Sequence, residues 1–332
     1  MEPKVVVVGS FVQDLTWKCT EFPRAGETVI GTFVTGPGGK GSNQAVASGR
    51  AGVSTMFIGA VGSDVFAAGA RAFYKSEGIP ANFVVKPAHA TGTAAIFVNS
   101  RAENEIIVAL GANAFLEASD IEDRLVQDAK LLICQHETNL AVNEHAFRTA
   151  RSAGACTVLN PAPMRPDFDP SILNLTDVII PNESEFVALV NMITPRAVVL
   201  RKAKGAAKEP LDEAALSALR PVDLHRLCRA LNVPTVIITL GSRGCFVSLR
   251  NGSYTLIPGY AGLKVIDTTG AGDAFVGGFA AGHVRSHGNI VAAARYGNAV
   301  AALSVTRFGT APSMPKAAEI RRFLRLMGSD AS

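Results

Sequence analysis

The chain has 332 residues, of which 48% are hydrophobic and 18% are charged, and its formal net charge is +4. This length suits one large α/β domain or one domain with a small appendage. The longest apolar runs, such as Val5–Val8, are far too short to span a bilayer, and no basic stripe with interleaved aromatic residues indicates a nucleic-acid partner. No secretory signal pattern opens the chain and the five cysteines form no Cys-x-x-Cys pair. We therefore expect a cytoplasmic protein without a disulfide framework.

Short β-branched segments alternate with helical segments along most of the chain. In chain order we predict strands at 5–8, 55–58, 131–135, 157–159, 178–181 and 235–239. Between and after them we predict helices at 42–50, 65–77, 143–153, 183–190, 224–231, 273–283, 290–304 and 316–327. This alternation predicts an α/β fold with a mainly parallel sheet that helices cover on both faces.

Two segments, 15–35 and 91–109, break the alternation because they carry strand and turn signals with no helix between them. They could pair into a small separate sheet that acts as a lid, or they could form ordinary hairpins at the edge of the main sheet. The remaining residues would form the α/β core, which comprises 1–14, 36–90 and 110–332.

Within that core, the segment 191–223 is the least regular, and prolines and glycine punctuate it. We interpret it as an inserted surface loop with a short helix near 211–219.

The segment Asp267–Asp273 joins the end of a strand to a helix of small residues. Gly270, Ala271 and Gly272 leave backbone N–H groups pointing outward at the helix N-terminus, where they would form an anion hole. Asp273 would then stand beside a bound phosphate, in position to take a proton from an attacking hydroxyl. The alternative is that Asp273 merely caps the helix.

The glycine-rich segment 36–43 would let a ligand approach backbone N–H groups closely, with Asn43 placed to contact sugar hydroxyls. A formal Gly-x-Gly-x-x-Gly pattern at 36–41 would instead suggest a dinucleotide site with Asp64 as the ribose-binding acid. The segment is not a P-loop, because glycine follows Lys40. A turn without any ligand is the third interpretation.

Two further strand ends carry polar motifs. Asn182 is a plausible helix N-cap, with Glu185 three residues on in the position of a capping box. The functional alternative places both side chains near Mg²⁺ and its waters, which prefer oxygen ligands. The glycine-lined turn 239–244 follows a β-branched strand and is suited to a nucleotide.

Together these motifs resemble the ribokinase branch of the phosphofructokinase-B-type carbohydrate kinase family. The resemblance covers nearly the whole chain in order, and its most specific strings are Gly-Ala-Gly-Asp at 270–273, Gly-Gly-Lys-Gly-Ser-Asn-Gln-Ala at 38–45 and Asn-Pro-Ala-Pro at 160–163. It implies a three-layer α/β/α sandwich with a small β-sheet lid, a homodimer formed through that lid, and transfer of phosphate from MgATP to the 5-hydroxyl of D-ribose.

The resemblance also implies roles for individual residues. Asp273 would be the base, and the amides of 270–272 would hold the transferring phosphoryl group. The positions that match sugar-binding residues are Asp14, Gly38, Gly39, Lys40, Asn43 and Glu137. Those that match nucleotide-binding residues are Asn182, Thr239, Gly241, Ser242, Gly244 and Asn298. A monovalent cation, usually K⁺, activates such enzymes, largely through backbone carbonyls, and the matching positions are Asp267, Thr269, Ser304, Arg307, Gly309 and Ser313.

One departure bears on the substrate. Val12 stands where many bacterial members carry asparagine, so one polar sugar contact is absent and a choice between ribose, deoxyribose and another small sugar stays open. A dinucleotide oxidoreductase is disfavoured, because Gly9–Val12 after the first strand lacks the glycine fingerprint and the segment 267–273 would go unexplained. A sugar-binding module without catalysis is disfavoured because Asp273 is present.

Overall fold

The structure, a computed structural model, describes residues 4–101, 103–194 and 210–328. Its strands in chain order are β1 (Val5–Val8), β2 (Val12–Lys18), β3 (Thr32–Gly38), β4 (Thr55–Val61), β5 (Ala81–Val85), β6 (Gly92–Val98), β7 (Asn104–Ala109), β8 (Leu131–Cys134), β9 (Cys156–Leu159), β10 (Val178–Ile179), β11 (Thr235–Thr239), β12 (Cys245–Leu249) and β13 (Tyr254–Ile257). Its α-helices are α1 (Lys40–Arg50), α2 (Val65–Glu77), α3 (Leu140–Ser152), α4 (Glu183–Ile193), α5 (Glu213–Ser217), α6 (Pro221–Ala230), α7 (Ala271–Arg285), α8 (Ile290–Ser304) and α9 (Ala317–Leu326).

A large sheet forms the middle layer, in the strand order β13-β12-β11-β10-β9-β8-β1-β4-β5. All neighbours from β11 to β5 are parallel, and β12 and β13 add antiparallel strands at one edge. Because successive strand residues face opposite sides, Val5 and Val7 lie in one hydrophobic core and Val6 and Val8 in the other. Helices cover both sides, so the predicted α/β fold with a mainly parallel sheet is confirmed.

A second sheet of four strands, in the order β3-β2-β6-β7, stands apart from the first. The alternative of hairpins on the edge of the main sheet is therefore wrong. β2 begins at Val12 and β3 ends at Gly38, so the strands extend beyond the predicted range 15–35 at both ends. The additional residues at the end of β3 belong to the glycine-rich segment, which leads directly into α1.

The predicted insertion is only partly described, since residues 195–209 lie outside the described ranges. In the described part, Leu211 and Leu216 are buried in the same core as α4, while most of their neighbours from 210 to 223 are exposed or half-buried. The side chain of Asn191 also bonds the backbone N–H and carbonyl of Leu211, at 3.0 and 2.8 Å. The predicted short helix near 211–219 is present as α5.

Within the described ranges, no helix combines the length and apolar character needed to cross a membrane.

Candidate active site

Polar residues gather at the carboxyl ends of the parallel strands. Of the residues predicted to bind ligands, Glu137 follows β8, Asn182 follows β10 and Thr239 ends β11, and the structure adds Ser10 after β1 and Asn160 after β9. This edge is where ligands bind in open α/β sheets, because the strand ends and the helix N-termini that follow them open onto a common crevice.

Asp273 is buried in the first turn of α7, which begins after Gly270 at a φ of 76°. That left-handed conformation is one that glycine adopts without strain. Asp273 Oδ2 accepts a hydrogen bond from Asn43 Nδ2 at 2.9 Å, and its Oδ1 accepts one from Gln44 Nε2 at 2.9 Å. Each carboxylate oxygen therefore receives one amide N–H, which orients the group and leaves each oxygen a further lone pair.

The three amides predicted to form the anion hole differ in the structure. The N–H of Ala271 donates to the carbonyl of Thr268 at 3.1 Å. Within the described residues, the N–H groups of Gly270 and Gly272 donate to no backbone carbonyl. A Cβ added at Gly272 would meet no atom within 4 Å, so this residue borders open space. Two of the three amides are thus free to hold an anion at the positive end of the helix.

Three predicted sugar contacts lie beside Asp273. Glu137 Oε2 accepts hydrogen bonds from Ser10 Oγ at 2.6 Å and from the N–H of Lys40 at 2.9 Å. Asn43 is buried, and its Oδ1 has no hydrogen-bond partner in the part of the chain that the structure describes. A buried amide oxygen without a partner is costly unless a ligand pairs with it.

Lys40 supplies the positive charge of this region. Burial acts to lower the pKa of Lys40, but nearby carboxylates outweigh that effect and raise the pKa above its usual value. Those carboxylates belong to Asp273, Glu137 and Glu185. The side chain therefore stays protonated and available to an anionic ligand.

Asp14 lies on β2 against Gly38, where a Cβ would come within 2.3 Å of the carboxylate oxygens, so only glycine fits. Thr310 Oγ1 donates to Asp14 Oδ2 at 3.0 Å. Burial raises the pKa of Asp14 to about 7, with the nearby carboxylates of Glu137 and Asp273 adding to the shift and the Thr310 hydrogen bond opposing it.

Three cavities meet at the N-terminus of α7. One of about 180 Å³ holds Asp273 and Lys40, one of about 470 Å³ runs along the 239–244 turn and α8, and one of about 510 Å³ lies between the small sheet and the loops 265–269 and 308–312. Thr268 lines all three, and Ala271 and Gly272 line the first two. A ligand in the 470 Å³ cavity can therefore reach Asp273 past the free amides.

The residues predicted to bind nucleotide divide between two of these cavities. The 470 Å³ cavity is lined by Thr239, Gly241, Ser242, Gly244 and Asn298. Asn182 and Glu185 line the 180 Å³ cavity instead, with Asp273. Residues 259–263 and Phe275 form another wall of the 470 Å³ cavity. The sequence did not predict this wall, because neither an irregular glycine-containing loop nor an apolar helix residue indicates a ligand by itself.

Asn182 and Glu185 form the capping box that their spacing allows. Asn182 Oδ1 accepts from the N–H of Glu185 and Glu185 Oε2 accepts from the N–H of Asn182, both at 2.8 Å. Burial raises the pKa of Glu185, while the Asn182 N–H and Lys40 oppose the rise. The structural interpretation therefore holds, and both side chains also face the cavity that contains Asp273, with oxygen donors of the kind that suit Mg²⁺ and its waters.

The residues predicted to bind a monovalent cation fall in two adjoining loops. Asp267 joins them, because its Oδ1 accepts from the N–H of Thr269 at 2.9 Å and its Oδ2 from the N–H of Gly309 at 3.0 Å. The carbonyl of Ser304 accepts from the N–H of Arg307 at 3.1 Å, and the Arg307 side chain turns away to pair with Glu319.

Ser313 closes the second loop by donating from its Oγ to the carbonyl of Thr310 at 2.7 Å. Over residues 4–101, 103–194 and 210–328, no group of three or more His, Cys, Asp or Glu side chains is placed to hold a metal ion. A single carboxylate among backbone carbonyls fits a monovalent cation better than a divalent one, which demands more charge from its ligands.

The dinucleotide interpretation finds no support in the geometry. The pattern at 36–41 runs from the end of β3 in the small sheet into α1, and not from a strand of the large sheet. Asp64 is engaged as the N-cap of α2, where it accepts from the N–H of Ala67 at 2.9 Å, and it also accepts from the N–H of Thr91 at 2.7 Å.

Comparisons with known proteins agree with this architecture. A family model described as pfkB family carbohydrate kinase matches residues 2–317. The chain is 36% identical to the ribokinase of Mus musculus over 318 residues, which cover 94% of this chain and 91% of that protein. It is 34% identical to the deoxyribokinase of Salmonella typhi over 327 residues, which cover 97% of this chain and 99% of that protein. The structure of ribokinase from Giardia lamblia matches with a TM-score of 0.82 at 31% identity, over 98% of this chain and 100% of that one.

Proposed function

The chain belongs to the pfkB family of carbohydrate kinases, and we propose that it transfers the γ-phosphoryl group of MgATP to the 5-hydroxyl of D-ribose. The observation that carries this proposal is the meeting of two cavities at the N-terminus of α7, with Asp273 on one side and the 239–244 turn on the other. A nucleotide in the 470 Å³ cavity would extend its γ-phosphate past Gly272 towards Asp273, and a sugar held between Asp273 and Asp14, which lines the 510 Å³ cavity, would bring a hydroxyl to that phosphate.

In the proposed reaction, Asp273 accepts the proton of the 5-hydroxyl as the oxygen attacks the γ-phosphorus. Asn43 and Gln44 hold the carboxylate in place from the other side. The unpartnered Asn43 Oδ1 accepts a hydrogen bond from a second sugar hydroxyl. Glu137 and Asp14 contact the hydroxyls further along the ring, with Gly38, Gly39 and Lys40 forming the adjoining wall.

The charge that develops on the transferring group is stabilised by fixed donors. The free N–H groups of Gly270 and Gly272, with the α7 dipole behind them, bind the equatorial oxygens. Lys40 adds a protonated amine on the sugar side. When Mg²⁺ enters with ATP it neutralises β- and γ-phosphate oxygens, and Glu185 and Asn182 would hold its waters.

We further propose that K⁺ activates the enzyme through the two loops that Asp267 joins. Asp267, Thr269, Ser304, Gly309 and Ser313 supply oxygen atoms, and the backbone carbonyl of Arg307 adds another. These loops lead directly into the Thr268–Gly270 turn, so an ion held there would fix the amides of Gly270 and Gly272 without touching ATP.

A homodimer through the small sheet is the assembly we propose. Trp17 stacks between Phe33 and Phe97 on one face of this sheet, at ring-centroid distances of 5.2 and 5.7 Å. Phe33 and Ile107 on the same face remain 53% and 70% exposed. An apolar face of this kind on a protruding sheet suits a second copy of the chain, since large exposed apolar patches mark association sites.

A 2-deoxyribose kinase is the second candidate. Val12 is buried in the apolar cluster of the small sheet with Ala94 and Ile96, so it offers no polar atom at the position where many bacterial relatives carry asparagine. The similarity to a deoxyribokinase points the same way.

A coupled assay of ADP release against a panel of sugars, with and without K⁺, tests the proposal. We expect ADP formation that depends on ribose and increases with K⁺. A kcat/KM that favours 2-deoxyribose over ribose would select the second candidate. No turnover with any sugar would reject the kinase activity.

A further inference from the structure

Gln44 is a fully buried side chain on α1, one residue after Asn43. Its Nε2 donates to Asp273 Oδ1 at 2.9 Å and to Asn160 Oδ1 at 2.9 Å, and its Oε1 accepts from Gln135 Nε2 at 2.7 Å. Both ends of the amide are therefore paired, so the side chain cannot rotate without leaving buried polar groups unsatisfied.

One backbone carbonyl fixes the orientation of this network. Asn160 Nδ2 donates to the carbonyl of Ile180 at 2.8 Å, and a carbonyl can only accept. Asn160 must then present its Oδ1 to Gln44, and Gln44 must present its Nε2 both to Asn160 and to Asp273. A flipped Gln44 amide would place oxygen against oxygen at both contacts.

We propose that Gln44 is a positioning residue that holds the Asp273 carboxylate turned towards the sugar hydroxyl. The inference rests on the proposed function, because it assigns Gln44 a part in the reaction in which Asp273 takes the proton. The donor on Oδ1 fixes the direction of the carboxylate, and hydrogen bonds to charged groups are among the stronger ones. The network ties that donor to buried residues at the ends of β8, β9 and β10.

Three charged groups on other elements also face Asp273. They are Lys40 on α1, Glu185 on α4 and Asp14 on β2, each of which lies close enough to interact electrostatically with Asp273. Gln44 is neutral and carries no charge of its own into this group. Replacing it with another neutral residue therefore removes the donor and leaves the net charge around Asp273 unchanged.

Gln44→Met tests the proposal, because methionine has nearly the same length and no donor. We expect kcat to fall about 10- to 100-fold, the effect of one hydrogen bond to a charged group. The KM for ATP should stay within about twofold of the wild-type value, since Gln44 does not line the nucleotide cavity. A fall in kcat without a matching rise in this KM separates a positioning role from a general loss of structure.

Ser48→Ala is the matched control. Ser48 is also buried on α1, and it accepts a hydrogen bond from Thr55 Oγ1 at 3.0 Å without touching Asp273. This variant loses a buried hydrogen bond from the same helix and should keep both kcat and the KM for ATP.

Gln44→Asn provides a second variant if methionine prevents folding, because it keeps an amide in the core but withdraws it from Asp273 by one methylene. A folded Gln44 variant with wild-type kcat would overturn the inference. That result is distinct from failure of the proposed function, in which the wild-type protein itself would phosphorylate no sugar.

Discussion

At the residue scale, Asp273 is the side chain on which the proposed chemistry depends. Asp273→Asn keeps the shape of the side chain, but its amide cannot accept the proton of the attacking hydroxyl, and its NH₂ group would face one of the two amide donors that bond the carboxylate. We expect kcat to fall by about 10²- to 10⁴-fold, with nucleotide affinity retained. Steady-state kinetics and calorimetric titration with ATP measure the two quantities. The exposed Asp128→Asn is the control, and a near-normal kcat in Asp273→Asn would reject the assigned role.

Asp14 makes the stability of the protein depend on pH in an unusual direction. Burial raises its pKa from the ordinary aspartate value of 3.8 to about 7 in the folded state, so between about pH 4 and pH 7 the native protein binds more protons at this site than the unfolded chain. The contribution of Asp14 therefore becomes less favourable as pH rises through that window. We expect Asp14→Asn, without sugar, to gain Tm relative to wild type as pH rises from 4 to 8.

Thermal unfolding of the two proteins across this range provides the measurement, and the difference in Tm should level off above pH 8. A Tm difference that stays constant from pH 4 to pH 8 would contradict the raised pKa of Asp14.

The sequence suffices to find Asp273 but not what surrounds it. The Gly-Ala-Gly-Asp string at a strand-to-helix turn predicts both the amides and the carboxylate from local chemistry. The donors on Asp273 come from α1, 230 and 229 positions away, and no local pattern connects them. The same limit explains why Thr310 was not predicted as a partner of Asp14, at a separation of 296 positions.

At the scale of elements, the sequence predicts those segments whose apolar pattern and end signals agree. Helix α2 runs over Val65–Glu77 as predicted, since Asp64 caps its start and Gly78 ends it at a φ of 66°. Strand β7 lies within the strand-rich segment 91–109, but its bounds could not be predicted because all six of its residues are exposed and burial imposes no alternation on them. The β12–β13 hairpin was also missed, because a regular alternation of strands and helices does not anticipate antiparallel strands at one edge.

Helix α7 packs closely on α1 at Gly277, where no side chain separates the two helices. A Cβ at Gly277 would lie 2.4 Å from the carbonyl oxygen of Gln44 and 2.6 Å from Ala47 Cβ. We expect Gly277→Ala to lower the free energy of unfolding by about 1–3 kcal/mol through overpacking. Gly69 in α2 is the matched position, because its Cβ would meet nothing within 4 Å.

Gly69→Ala should therefore stabilise the protein by about 0.5–1 kcal/mol, the helix preference of alanine over glycine. Denaturant unfolding of both variants checks the opposite signs. Equal effects at the two positions would show that close packing of α1 on α7 does not decide the outcome.

In the proposed mechanism, Asp267 acts through the cation-binding loops and not through the phosphoryl transfer itself. Asp267→Ala removes the carboxylate that joins the N–H groups of Thr269 and Gly309. We expect the K⁺ concentration for half-maximal activation to rise about 10-fold or more, a change of roughly 1.4 kcal/mol. The rate without K⁺ should change little. Titration of the rate with KCl at constant ionic strength measures this, and loss of all activity at every K⁺ concentration would contradict the separate roles of Asp267 and Asp273.

At the scale of the whole molecule, the small sheet carries the exposed apolar face that we assign to a dimer. Ile107→Glu places a charge at a residue that is 70% exposed on this face, and we expect it to convert a dimer into a monomer. Light scattering coupled to size exclusion determines the mass. Leu326→Glu, at a residue 75% exposed on α9, should leave the dimer intact. A wild-type protein that is monomeric at all concentrations would reject the interface.

The central claim is that the fold directs the γ-phosphoryl group to the 5-hydroxyl of ribose at the N-terminus of α7. The phosphorus NMR spectrum of the product formed from ribose and ATP tests it most directly. A 5-phosphate predicts a phosphomonoester signal split into a triplet by the two protons on C5. A doublet from a phosphate on the anomeric carbon, or no phosphomonoester at all, would contradict the account.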